Sequence, residues 1–255
     1  MAKSRELRRA QLVSFINKNG SVSFDQIKEE FPSFSEPTLR LDLRDLDAAN
    51  QIVRSYGGAR SVEHATGVDA PITNRMSSEI ESKQEVARKA VKLLHPNSTV
   101  FLDSGSTTTI FCRAMPSDIA CTFFTESLTC AYELARLENS RLIMPGGKLN
   151  RETLTLEGSR SIDALQSIHF DQLFLATTAY SEDAGFTCEV DAQAIIKRTL
   201  IAHSGEVIML VDSSKFGQGG TFRFCGLSDI DIIVSDGGLP PAFVERCHEA
   251  GVVLL

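Results

Sequence analysis

The feature that most restricts the fold lies in residues 100–255, where short apolar runs alternate with helical stretches. The runs fall at 100–102, 121–125, 142–144, 172–176, 207–211, 230–235 and 252–255. Stretches with helical spacing lie near 107–114, 128–137, 192–203 and 240–250, and a longer one is read over 77–95 with Ile80, Val86, Ala90, Val91 and Leu94 on its inner side. Repeated β–α alternation predicts an α/β domain, a mainly parallel sheet with helices on both faces. Sheets of this kind bind ligands in the crevice beyond the C-terminal ends of their strands. The turns that follow the apolar runs are therefore the place to look for chemistry.

The first 60 residues follow another pattern. Leu7, Ala10, Leu12, Val13, Phe15 and Ile16 have helical spacing over 6–17, and Gly20 follows as a stop. A second helix is predicted over 24–30, with Ser23 as its cap and Gln26 completing a capping box. After a turn at 32–35, Ser35 caps a third helix, Pro37 fits its first turn, and Leu39, Leu43 and Leu46 face inward. Residues 52–59 read as a strand, a glycine turn at Gly57-Gly58 and a return. Helix, helix, turn, helix and hairpin in this order make a winged helix-turn-helix, whose third helix enters the DNA major groove. That helix offers Thr38, Arg40, Arg44 and Asp47 outward, and arginine reads guanine edges and pairs with phosphate. An ordinary three-helix domain with a solvated polar face has the same pattern. The predicted organisation is a head over 1–60, a linker over 61–76 that lacks periodicity, and a body over 77–255.

Charge follows this division. The chain carries −7 overall, but the head holds ten Lys/Arg against eight Asp/Glu, a balance of +2, which leaves −9 on the rest. A mildly basic head on an acidic body suits a small polyanion-binding module joined to something else. No run approaches the ~18 apolar residues that span a bilayer, and the N-terminus has no apolar signal core. The expectation is a cytoplasmic protein without membrane contact. The six cysteines form no CxxC pair and read as buried small hydrophobes. Five scattered histidines give no metal spacing, and no motif calls for a cofactor.

At the first strand end stands Asp103-Ser104-Gly105-Ser106-Thr107-Thr108, running into a helix. Hydroxyls and backbone N–H groups at a helix start hold phosphate well. A plain Ser/Thr cap beside an Asp turn fits the same residues. The segment is no Walker loop, because Gly146-Gly147-Lys148 is followed by Leu149. In a parallel sheet, the strand ends at Thr125-Glu126-Ser127, Gly146-Gly147 and Asp212-Ser213-Ser214-Lys215 converge on it. Thr187 and Lys197 close the rim.

These residues resemble a known family, the DeoR-type transcriptional regulators. The likeness spans essentially the whole chain. In the head it rests on Ser35-x-x-Thr38-Leu39-Arg40-x-Asp42-Leu43 and Arg54-x-Tyr56-Gly57-Gly58-Ala59. In the body it rests on Leu102 to Thr108, Gly146-Gly147, Gly158, Gly185-x-Thr187, Lys197-Arg198 and Asp212-x-Ser214-Lys215-Phe216-Gly217. The resemblance implies a body like ribose-5-phosphate isomerase and glucosamine-6-phosphate deaminase folds, sensing a phosphorylated sugar or related metabolite. It also implies a homodimer or homotetramer on operator DNA. Ser35, Pro37, Thr38, Arg40, Arg44, Arg54, Tyr56, Gly57 and Gly58 become the expected DNA-binding residues. Asp103 to Thr108, Thr125, Gly146, Gly147, Thr187, Lys197, Asp212 and Lys215 become the expected effector site. Four departures stand out. Arg40 is followed by Leu41 rather than a second arginine, the turn at 31–35 is one residue longer, Glu126 stands where asparagine is common, and Ala179-Tyr180 where glycine is usual. A carboxylate at 126 repels phosphate, so Glu126 is expected to meet sugar hydroxyls or to point away.

The expected function is a repressor of sugar catabolism genes switched by a phosphorylated metabolite. The rivals are a sugar-phosphate isomerase or deaminase with an added head, and a protein-interaction module. The isomerases carry an Asp-Gly-Ala-Asp-like run that supplies a general base; here the region reads Ala176-Thr177-Thr178-Ala179-Tyr180, which favours sensing over turnover.

Overall fold

A computed structural model describes residues 2–49, 51–55, 57–61, 72–217 and 219–255. They fall into two compact units, 1–70 and 71–255.

In the first unit, α1 (Ala2–Asn19) extends beyond the expected 6–17 and ends at Gly20, whose φ of 71° leaves the helical region. Leu7 lies on its exposed side rather than inward. A short strand, β1 (Ser21–Ser23), was not legible in so brief a polar segment. The capping box of α2 (Phe24–Glu30) forms as predicted: Ser23 Oγ accepts the Gln26 N–H, and Gln26 Oε1 accepts the Ser23 N–H. At α3 (Glu36–Ala48) Ser35 holds the N-cap position, but its hydroxyl meets Thr38 Oγ1 at 2.9 Å instead of a backbone N–H. The expected cap is thus corrected to a side-chain pair. Strands β2 (Ile52–Ser55) and β3 (Gly58–Ser61) complete an antiparallel sheet in the order β1-β3-β2. Gly58 is required there, since a Cβ would lie 2.1 Å from the Val22 carbonyl oxygen. Leu12, Ile16, Phe24, Ile27, Leu39, Leu43, Leu46 and Ile52 form the core.

The second unit begins inside the expected linker. Ile72–Met76 forms α4 with Ile72 buried, so the aperiodic reading of 61–76 is corrected at its end. Residues 62–71 lie outside the described residues. The helix read over 77–95 is shorter: α5 spans Ile80–Ala90, a 3-10 turn follows at Val91–Leu93, and Ile80 is exposed.

The central sheet joins β4 (Thr99–Leu102), β5 (Thr122–Phe124), β6 (Arg141–Ile143), β9 (Phe170–Ala176), β12 (Ser204–Leu210), β14 (Ile232–Val234) and β15 (Val253–Leu254). Their order is β15-β14-β12-β9-β4-β5-β6, and every neighbouring pair is parallel. Alternate side chains serve opposite faces. Val100, Leu102, Phe174, Ile208 and Leu210 pack with α5, α6 (Ser106–Ala114) and α7 (Leu128–Leu134). Phe101, Leu173, Leu175, Val207 and Met209 pack with α8 (Ser159–Gln166), α9 (Asp191–Ala202) and α10 (Pro241–Glu249). Burial on both faces explains why the strands read as unbroken apolar runs.

Three features escape the alternation pattern: α8, the β7–β8 hairpin (Lys148–Asn150, Thr155–Glu157), and a small antiparallel sheet of β10 (Ala179–Ser181), β11 (Gly185–Cys188) and β13 (Phe222–Cys225). All six cysteines are free and buried. The chain winds from β4 outward to β6, then returns to place β9 on β4's other edge. That reversal opens a crevice at the ends of β4 and β9, where Asp103 and Ala176 stand.

Candidate functional site

The head presents its cations on α3 and β2. Arg40 and Arg44 are 60% and 66% exposed at the side chain. Arg40 lies 3.9 Å over the Phe24 ring and 3.9 Å from Glu36 Oε2, contacts that aim it without burying it. Ser35, Pro37 and Arg54 are exposed, and Thr38 is half-buried. Asp47, expected outward, accepts the Arg54 backbone N–H at 3.0 Å and so ties the strand to the helix. Gly57 sits at φ 84° and its carbonyl accepts the Phe24 N–H at 2.7 Å. Gly57 and Gly58 therefore shape the turn. Tyr56 lies outside the described residues.

Asp42 behaves differently from its neighbours. It is buried, and its two oxygens accept from Arg8 Nε at 2.5 Å and Arg9 Nε at 2.8 Å. Burial opposes its ionisation, but those guanidinium hydrogen bonds prevail and hold its pKa below the usual carboxylate range. The pair fastens α1 to α3.

In the body, the loop after β4 has the geometry of an anion seat. Gly105 precedes α6 at φ 137°. The Thr109 N–H returns to the Gly105 carbonyl at 3.0 Å, while the N–H groups of Gly105, Ser106, Thr107 and Thr108 meet no acceptor among the described residues. Unmatched N–H groups at a helix start carry the positive end of its dipole. The hydroxyls of Thr108 and Thr109 bond the Gly105 carbonyl. Those of Ser104, Ser106 and Thr107 have no partner among the described residues, although all three residues are buried.

Around this seat stand acidic and basic groups. Asp103 Oδ2 accepts the Ala176 N–H at 2.8 Å and an ion pair from Lys197. Lys197 Nζ also donates to the Ala176 carbonyl at 3.0 Å and lies 5.2 Å from the Phe224 ring. Burial works against the lysine's charge, yet Asp103 holds its pKa above the usual value. Glu126 does not point away. It is 2% exposed, and its Oε1 accepts the Ser104 N–H at 3.1 Å. Burial, with Asp103 nearby, pushes its pKa up to about 8. Asp103 Oδ1, Glu126 Oε2 and Asp212 Oδ2 are buried without a partner among the described residues. Native folds rarely leave such atoms unmatched, so they mark where a ligand's donors belong.

Asp212 bonds the Ser214 N–H at 3.1 Å and its hydroxyl, folding the turn that carries Lys215. Lys215 is half-buried and has no partner among the described residues. This turn follows β12, on the same sheet edge as the seat. Lys83, missed by sequence reasoning, is fully buried, and its Nζ donates to the carbonyls of Arg75 and Ser78 at 2.7 and 2.6 Å. Burial, with Lys215 as a second cause, lowers its pKa to about 8. A polar residue on an amphipathic helix gives no sequence signal of this.

Other expected residues are engaged within the fold. Thr125 Oγ1 accepts the Ser127 N–H at 3.1 Å. Thr187 Oγ1 donates to Ala179 and accepts the Gly220 N–H. The Gly146 carbonyl accepts from Ser161 Oγ at 2.6 Å, and a Cβ on Gly147 would lie 2.7 Å from the Glu157 carbonyl oxygen. Among the described residues no three His, Cys, Asp or Glu cluster to hold a metal. No helix among them is long and apolar enough to cross a membrane.

A winged helix-turn-helix followed by a doubly wound α/β unit is the plan of a DNA-binding regulator with a sensor domain. The comparisons agree. The model of the DeoR-like helix-turn-helix domain matches residues 8–65, and that of the DeoR C-terminal sensor domain matches 78–237. The chain belongs to the DeoR family of transcriptional regulators. It is 30% identical to a putative aga operon transcriptional repressor of Escherichia coli O157:H7, over 97% of this chain and 92% of that one. It is 28% identical to the glycerol-3-phosphate regulon repressor of Escherichia coli K12, over 92% of each. Among solved structures, ribose 5-phosphate isomerase A of Methanocaldococcus jannaschii covers 55% of each chain at 19% identity, with a TM-score of 0.41.

Proposed function

We propose that this regulator represses genes of sugar or polyol catabolism and is switched by a phosphorylated sugar or related metabolite seated on residues 103–108. The observation that carries this reading is the run of four unmatched N–H groups at Gly105 to Thr108, beside the free hydroxyls of Ser106 and Thr107. A phosphate supplies the acceptors they lack. Asp103, Asp212, Lys197 and Lys215 surround the rest of the metabolite. The relatives named for aga and glycerol-3-phosphate operons support the same class of effector.

On the DNA side, Arg40, Arg44 and Arg54 supply phosphate contacts and base readout, with Thr38 beside them. The DNA-binding head lies in the first unit, 1–70, and the sensor in the second, 71–255. A module of charge +2 binds weakly alone, so the working form is a homodimer or homotetramer on repeated half-sites. The test is binding to the DNA upstream of its own gene at low and high salt. Affinity is expected to fall steeply with salt and to change when the correct sugar phosphate is added. A salt-independent response, or none to any phosphate ester, overturns the reading.

A further inference from the structure

The sensor site holds more buried carboxyl groups than its own cations match. Asp103 is neutralised by Lys197. Glu126 has no Lys, Arg or His in ion-pair range among the described residues, and its Oε1 accepts the Ser104 N–H. Its other oxygen is buried and unpartnered, as is Asp103 Oδ1. The Ser104 N–H, next in the chain to Asp103, holds Glu126 Oε1 at 3.1 Å, so the two carboxyl groups are close neighbours, and Asp103 disfavours the charge of Glu126.

Resting on the phosphate-seat reading above, we propose that Glu126 sets effector specificity, receiving on Oε2 a protonated amine of the ligand whose phosphate lies on Gly105 to Thr108. A phosphorylated amino sugar is the chemical class that fits. Burial keeps the proton on Glu126 near neutral pH before a ligand binds, and a hydroxyl ligand does nothing to draw it off. An ammonium group favours the ionised carboxylate, so Glu126 gives up its proton to solvent as the amine binds, and the amine brings three N–H donors, enough for Glu126 Oε2 and Asp103 Oδ1 together. Glu126 also occupies the Ser104 N–H, so the phosphate is confined to the N–H groups that follow.

The experiment is calorimetry and thermal shift on the full chain at pH 6.5. Glucosamine 6-phosphate and galactosamine 6-phosphate are each compared with the hydroxyl and N-acetyl counterparts, and with inorganic phosphate. At least one amine is expected to bind tenfold or more tightly than both counterparts, and Glu126→Gln is expected to erase that preference while the hydroxyl counterpart binds as before or better. Equal or tighter binding of the hydroxyl or N-acetyl forms by the unaltered chain overturns the proposal, as does a preference that survives Glu126→Gln. The unaltered chain decides the matter even where the variant folds poorly. If neither inorganic phosphate nor any ester binds, the phosphate seat itself fails, and the proposal fails with it.

Discussion

Each half of the chain buries an aspartate against basic side chains, and the two pairs differ in what they leave over. In the head, both oxygens of Asp42 are matched by Arg8 and Arg9. In the body, Asp103 gives one oxygen to Lys197 and Ala176 and keeps the other unpartnered beside Glu126. A fully matched buried pair holds elements together and has no capacity to recognise anything further. A pair with an orphaned atom carries a desolvation cost that a ligand can remove. The contrast separates a fastening from a binding site even though both use the same residue type.

The comparison can be broken first at Asp42. Asp42→Ala strands two arginines against the core, and breaking a buried pair of this kind costs about 3–5 kcal/mol. The lower end is expected, since Arg8 and Arg9 keep some exposure. Denaturation followed separately for each unit should show the head melting early while the body is unchanged. A head of ordinary stability would remove Asp42 from its fastening role.

Arg40→Ala leaves the fold intact and is expected to lose operator affinity by about 1–3 kcal/mol per head, compounded in an oligomer. Fluorescence anisotropy on operator DNA measures this, with circular dichroism to confirm the helices. Unaltered affinity would take α3 out of the interface.

Ser106→Asp places a carboxylate where the phosphate is expected. Stabilisation by phosphate esters should vanish while operator binding persists. A retained thermal shift would move the effector away from this loop.

The last test is the pH dependence of Glu126. Its ordinary pKa is about 4.3, and in the fold it rises to about 8. Across that window the folded chain binds the proton more tightly than the unfolded chain, so stability falls as pH rises. Glu126→Gln should flatten this slope, measurable as melting temperature between pH 5 and 8. An unchanged slope would mean that Glu126 is already matched.

Much of the plan was legible in sequence. The capping box at Ser23 and Gln26 and the apolar runs of the parallel sheet are local or periodic, so they show in one dimension. Ser35 takes the N-cap position as read, but its hydroxyl turns to Thr38 Oγ1, because a short hydroxyl can meet another side chain as easily as the backbone. The small antiparallel sheet was missed because Ala179–Ser181 and Gly185–Cys188 are too short for a period to show. Thr187 falls in β11 and Gly147 on an anticipated loop, but what surrounds them, Gly220 for the first and Glu157 and Ser161 for the second, is set by residues distant in the chain.

The sequence by itself determined the two-part plan, the outward arginines of α3 and the Ser/Thr-rich loop after the first body strand, since spacing and local chemistry suffice for these. Only the tertiary structure decided that Asp42 is buried, that Lys83 lies inside, and that Glu126 turns in to hold the Ser104 N–H. The contacts at those positions join residues between 5 and 34 places apart, and a carboxylate has the same letter in the sequence whether it is matched or left wanting.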